Sequence, residues 1–156
     1  CFDGFLAAAV FKPAGMKKTG YFELDRLPSN CAQNYIAEPS TPGGYRTNIY
    51  SVDAKGTGAG GAFTTAAGLA AFWQALTNKR LLDDEHTSLL LQPHAHQPSG
   101  DSYGLGVWLD ADLNPYLQGF DPGVSALSQI DLSSGKVTSL LSNFGDDPWE
   151  IAAGMH

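Results

Sequence analysis

Apolar residues along this chain recur with two different periods, and the change from one to the other divides it. Phe2, Phe5, Leu6 and Val10, with alanines between them, lie three to four residues apart and predict a helix from residue 1 to Phe11. Lys12-Pro13 is expected to end it, because proline disfavours helix at the residue before it. A second helix is predicted after Gly60-Gly61. There Thr64 and Thr65 offer N-capping hydroxyls, and Leu69, Phe72, Trp73 and Leu76 keep helical spacing. Its rhythm is lost at Thr77-Asn78-Lys79-Arg80, where a cationic pair suits the negative end of the helix dipole. Asp83 or Asp84 caps a short third helix, with Leu89, Leu90 and Leu91 as its buried end and Pro93 as its stop.

From Tyr103 the period becomes two. Tyr103, Leu105 and Val107 alternate with Gly104, Gly106 and Trp108, then Asp110-Ala111-Asp112 turns, and Tyr116, Leu117 and Phe120 precede Asp121-Pro122-Gly123. Val124 to Asp131 and Lys136 to Asn143 are two further strand-like runs joined by Leu132-Ser133-Ser134-Gly135. Together these predict an antiparallel meander of three or four strands, closed by a helix with Asp147 as cap and Pro148 in its first turn. Tyr21 to Asn48, rich in Pro, Asn, Ser, Thr and Gly, is expected to be a long ordered loop with one short strand at Gln33 to Ala37. The expected class is α/β of the α+β kind: an antiparallel sheet flanked by helices.

Composition fits one globular unit, with 156 residues, 43% of them hydrophobic and 16% charged. The formal net charge is −7, and the nine Lys and Arg stand singly or in the pairs Lys17-Lys18 and Lys79-Arg80. No basic stripe exists to neutralise phosphates, which argues against nucleic acid as a partner. No apolar run approaches the ~20 residues of a membrane-spanning helix, so no span is expected. Cys1 and Cys31 are too few for a disulfide scaffold, and their spacing leaves a single bridge open.

Three motifs invite chemistry and give little. Gly56, Gly58 and Gly61 form a literal G-x-G-x-x-G before a helix, but Asp53-Ala54-Lys55 stands where a dinucleotide site needs an apolar strand. His94 and His96 form an H-x-H pair with no further Cys or His cluster, so no metal is assigned. Ser133-Ser134-Gly135-Lys136 matches Ser-x-x-Lys, but in an expected hairpin turn rather than on a helix. No cofactor is implied.

The paired glycines, small hydroxyls, aromatic-faced helix and Leu81-Leu82 come in an order that resembles the serine β-lactamase and penicillin-binding-protein-like hydrolases, which include esterases and D-aminopeptidases. Phe11-Lys12-Pro13-Ala14-Gly15-Met16 with Thr19-Gly20, Tyr103 to Trp108 and Gly119-Phe120-Asp121-Pro122-Gly123 agree in the same order. The resemblance extends over nearly the whole chain, and it implies that residues 1–156 are the C-terminal portion of one β-lactamase-like domain. The first helix, which begins without a cap or entry loop, is expected to be the tail of a longer one. The family's Ser-x-x-Lys on a helix and Tyr-x-Asn are absent in working form, the nearest to the latter being Tyr45-Arg46-Thr47-Asn48.

What the resemblance implies for the site follows residue by residue. Leu117-Gln118-Gly119 falls at the family's Lys-Thr-Gly or His-x-Gly box, with leucine in place of the cation. The backbone N–H of Phe120 falls at the second oxyanion-hole position, which needs no particular side chain. Gln118, Gly119, Gly60 and Gly61 are expected to border the substrate, and Tyr45, Arg46 and Asn48 to face it. The expected partners are a small ester, amide or peptide substrate and the missing N-terminal half, in the same protein or a second chain. The expected function is acyl transfer by an upstream serine, this chain forming one wall of the cleft and being inactive alone. The alternatives are a non-catalytic β-lactamase-like binding module, which the leucine favours, and an N-terminal nucleophile at Cys1, which would need a base beside a residue the pattern puts on a helix.

Overall fold

A computed structural model describes residues 1–98, 100–145 and 148–154. The chain opens with α1 (Phe2–Leu6), a π-helical stretch (Ala7–Phe11) and α2 (Lys12–Ala14), which run on as one helix. Lys12-Pro13 therefore does not end it. The wide π turn removes the demand for the hydrogen bond that proline cannot donate, a known way of carrying proline inside a helix. The helix ends instead at Gly15, with φ 77°, where Gly15 N–H donates to the Lys12 carbonyl and Met16 N–H to that of Phe11.

The segment expected as a long loop with one short strand at Gln33 to Ala37 holds that strand, β1 (Tyr35–Ala37), and a second, β2 (Tyr45–Thr47), which pairs with it as a hairpin. α3 (Ala66–Thr77) is capped by Thr65, whose Oγ1 accepts from Gly68 N–H at 3.0 Å. α4 (Asp84–Leu91) is capped by Asp83, whose Oδ1 accepts from His86 N–H at 2.8 Å. Both starts match the sequence, since a short polar side chain satisfies donors the first turn leaves unpaired. Within α4, Thr87 is the fully buried residue, Leu90 and Leu91 pack at the core margin, and Leu89 is exposed, because three successive residues cannot share one helix face.

Six antiparallel strands then follow in sequential order: β3 (Ala95–His96), β4 (Ser102–Tyr103), β5 (Trp108–Leu109), β6 (Pro115–Asp121), β7 (Val124–Ile130) and β8 (Val137–Ser142). The α+β class is as expected, with more strands than the three or four the periodicity gave. Tyr103 to Trp108 is two strands, not one. Gly104 passes so close to the end of α4 that a Cβ there would meet the Leu90 carbonyl oxygen at 2.3 Å. Leu105 N–H also donates to that oxygen, so the chain folds back. The His94 and His96 segment, expected as loop, contributes β3. α5 (Pro148–Ala153) closes the described chain with Pro148 in its first turn, and its expected cap Asp147 lies outside the described residues.

One face of the sheet packs on α3. Trp73 and Leu76 meet Val107, Leu109 and Ile130, with Leu117 at the margin. Trp73 is fully buried and its Nε1–H donates to Ser128 Oγ at 2.8 Å, which in turn bonds Ser139 Oγ at 2.8 Å. A smaller cluster of Ala14, Met16 and Ala75 joins the first helix to α3. The molecule exposes 9431 Å², whereas a folded monomer of 16.5 kDa exposes roughly 7,600 Å². Phe5, Tyr45, Tyr50, Phe120 and Ile151 are each more than half exposed. No helix among the described residues is long and apolar enough to cross a membrane.

Candidate active-site wall

β5 registers with β6 only at Pro115 and Tyr116, so from Leu117 to Asp121 the registered partner of β6 is β7 alone. Asp121 pairs with Val124 across the two-residue turn Pro122-Gly123, in which Gly123 has φ 81°, the value a type II turn needs at that position. Such a turn points the Asp121 carbonyl toward β7, and backbone groups alternate sides along an antiparallel strand. Phe120 therefore directs its backbone N–H and C=O away from β7, toward the edge that no described strand pairs with at this position, the open edge of β6. An oxyanion donor on this strand would have to point away from β7 in this way.

Side chains alternate in the other sense. Leu117 pairs with Ser128 and lies half-buried against the core under Trp73, which explains how a leucine stands where the resemblance expects a cation. Gln118, Gly119 and Phe120 are exposed, and a Cβ at Gly119 would meet nothing within 4 Å. At the start of the strand Tyr116 donates to Asp101 Oδ2 at 3.0 Å, and burial, then this hydrogen bond, pushes its phenol up to about 12.

A groove of about 490 Å³ lies between the β1–β2 hairpin and the tip of the β6–β7 hairpin. Tyr45, expected to face substrate, and Phe120, expected to act through its backbone N–H, line it together with Tyr35, Ile36, Pro122 and Phe144. Phe144 is the hinge of its wall: Tyr35 stacks on it at 5.7 Å between centroids and Tyr45 meets it edge-on at 5.3 Å. Sequence reasoning did not single out Tyr35, Ile36 or Phe144. The only signal was the apolar run Tyr35-Ile36, since the partner of Tyr35 lies far along the chain.

Other expectations fall elsewhere. Gly60 and Gly61 are exposed in a tight turn where Thr57 N–H donates to the Gly60 carbonyl at 2.8 Å, and they do not line this groove. Gly61 packs directly on Gly56, so the glycine run forms a small hairpin tip rather than a phosphate cradle. Arg46 is engaged by Ser51 Oγ at 2.9 Å and by Glu38 at 3.4 Å; the Ser40 hydroxyl and then Arg46 hold the Glu38 carboxyl below its usual range. Asn48 does not face a substrate. It is 1% exposed and donates through Nδ2 to the Pro122 carbonyl. Ser133 and Ser134 wrap the Asp131 carboxylate in the β7–β8 turn, so Ser133-Ser134-Gly135-Lys136 is turn chemistry. Cys1 is exposed at the head of α1, and Cys1 and Cys31 are free thiols. No group of three metal-ligating side chains occurs among the described residues.

The fold is similar to that of a penicillin-binding protein from Bacillus halodurans, with a TM-score of 0.91 and 34% identity over 98% of this chain and 48% of that one. It is also similar to a D-stereospecific amidohydrolase from Streptomyces sp. (TM-score 0.73, 20% identity, 97% of this chain and 47% of that one). A third similar structure is the D-amino acid amidase of Ochrobactrum anthropi SV3, solved with L-phenylalanine amide (TM-score 0.62, 21% identity, 90% and 43%). The last two likenesses are of fold alone. The chain spans about half the length of the solved proteins it resembles. It matches no family model and no curated protein.

Proposed function

We propose, since this chain belongs to the penicillin-binding-protein/β-lactamase-like hydrolase family, that it is the C-terminal half of a serine hydrolase and supplies one wall of its cleft. The open edge of β6 carries this assignment, because it presents an outward N–H at Phe120 beside a groove. In the mechanism, a serine from the other half loses its proton to a neighbouring base and attacks an ester or amide carbonyl. The oxyanion that forms is held by Phe120 N–H together with a donor from the other half. The alcohol or amine then leaves with a proton, and water releases the acyl group as a carboxylic acid. One such donor is worth ~100- to 1,000-fold in rate.

Two further observations support a missing partner half. The surface is larger than that of a monomer of this mass by roughly 1,800 Å², more than the ~800 Å² each side of a standard interface buries. The large apolar residues it exposes include Phe5 on the first helix and Leu141 on β8. Leu117 favours the second reading, a binding module without turnover, since it gives the Lys-Thr-Gly or His-x-Gly position no cation to tune a proton donor.

Hydrolysis of p-nitrophenyl acetate by the intact protein, and covalent labelling by a serine-directed phosphonate at a residue outside this chain, is the expected result. Residues 1–156 alone should show neither. An intact protein that binds such ligands but is neither labelled nor active would leave the binding module in possession.

A further inference from the structure

Resting on that reading, we infer that the groove between the β1–β2 and β6–β7 hairpins takes an uncharged aromatic group on the acyl side of the substrate. Its volume, about 490 Å³, lies within the ~300–1,000 Å³ of small-molecule sites. The walls are aromatic and already in place. Tyr35 N–H donates to the Asn143 carbonyl at 3.0 Å, a parallel bridge joins Tyr35 to Phe144, and Tyr45 leans edge-on against Phe144. Two of the rings are nevertheless left open, Tyr45 at 52% and Phe120 at 61% exposure, so a guest ring gains apolar contact without rearranging the site.

Charge decides what kind of group fits. Among the described residues no Lys, Arg, Asp or Glu lines the groove, and the neighbouring Arg46 is engaged by Glu38 and Ser51. A carboxylate entering here would lose hydration and gain no counter-charge. Leu117 removes the other place where the fold would offer a cation.

Continuity decides which part of the substrate it is. Phe120 directs its N–H toward the open edge and also lines the groove, so one residue borders both the place where a carbonyl would be held and the aromatic walls, which makes the acyl substituent the part that faces the groove.

The test uses the intact protein and three p-nitrophenyl esters, the acetate, the phenylacetate and the hydrogen glutarate, with each kcat/KM divided by the ester's hydroxide-catalysed rate. The phenylacetate is expected to exceed both others by about tenfold or more. Tyr45→Ala, at an exposed position that endangers folding little, should collapse the phenylacetate-to-acetate ratio. Tyr45→Arg should raise the glutarate relative to the phenylacetate. NMR titration with phenylacetamide against acetamide supplies a readout that needs no turnover. Hydrolysis with the same phenylacetate-to-acetate ratio in wild type and Tyr45→Ala would overturn the groove assignment and leave the hydrolase standing. No hydrolysis, but phenylacetamide binding that Tyr45→Ala abolishes, would remove the hydrolase and uphold the groove. Phenylacetamide binding no tighter than acetamide overturns the assignment whatever the esters do.

Discussion

Asn48 holds the β6–β7 turn from the far side of the chain: its Nδ2 donates to the Pro122 carbonyl at 3.0 Å across 74 residues. The contact ties the segment after β2 to the strand end that carries Phe120. Asn48 is 1% exposed, and its Oδ1 accepts no hydrogen bond among the described residues. Asn48→Asp would replace the donor with a buried carboxylate that faces a carbonyl. It should destabilise the intact protein by about 3 kcal/mol or more at neutral pH. Asn48→Leu, which also removes the orphan acceptor, should cost about 1–2 kcal/mol. Urea denaturation of the two variants checks the order, and an Asp variant as stable as wild type would show that the turn does not depend on this bond.

Two glycines of the same hairpin should respond in opposite ways. At Gly123 the positive φ and the Tyr35 carbonyl oxygen, 2.9 Å from where a Cβ would sit, leave no room, so Gly123→Ala is expected to cost about 2 kcal/mol or more. At Gly119 the space is open, and Gly119→Ala should change stability by under about 1 kcal/mol. If substrate lies along the β6 edge, Gly119→Ala should still lower kcat/KM by about tenfold or more. Melting temperatures and ester kinetics on the same two samples separate the effects.

The core should be most sensitive at Trp73. Trp73→Ala removes a fully buried ring between α3 and the sheet and is expected to cost about 3–5 kcal/mol. Trp73→Phe keeps most of the volume but loses the bond to Ser128, whose hydroxyl keeps Ser139 as partner, so about 2 kcal/mol is expected. Equal losses in the two variants would mean that the indole nitrogen matters more than the ring.

Tyr116 sets an alkaline limit. Its phenol is pushed up to about 12 in the folded protein, against ~10 when unfolded, because burial and the bond to Asp101 favour the neutral form. The unfolded chain therefore loses this proton first as pH rises. Its contribution to stability is fully present below about pH 10 and is lost as pH rises toward 12. Denaturant midpoints across that range should fall in wild type and fall less in Tyr116→Phe; identical curves would place the alkaline loss elsewhere.

The sequence by itself determined what depends on neighbours a few residues away. Thr65 and Asp83 cap because their oxygens reach donors three residues on, and the β7–β8 turn forms because Asp131 gathers Ser133 and Ser134. The order of motifs likewise carried the family. Tertiary structure alone decided the rest. The first helix passes through Pro13 by widening its turn, and Tyr103 to Trp108 folds back because Gly104 meets the end of α4. The groove joins β1 to the end of β8, where Asn143 Nδ2 reaches the Gln33 carbonyl across 110 residues, and Asn48 looks like any polar loop residue until Pro122 is placed against it. Periodicity records which face of an element is buried, and it holds no record of which distant backbone will come to lie on that face.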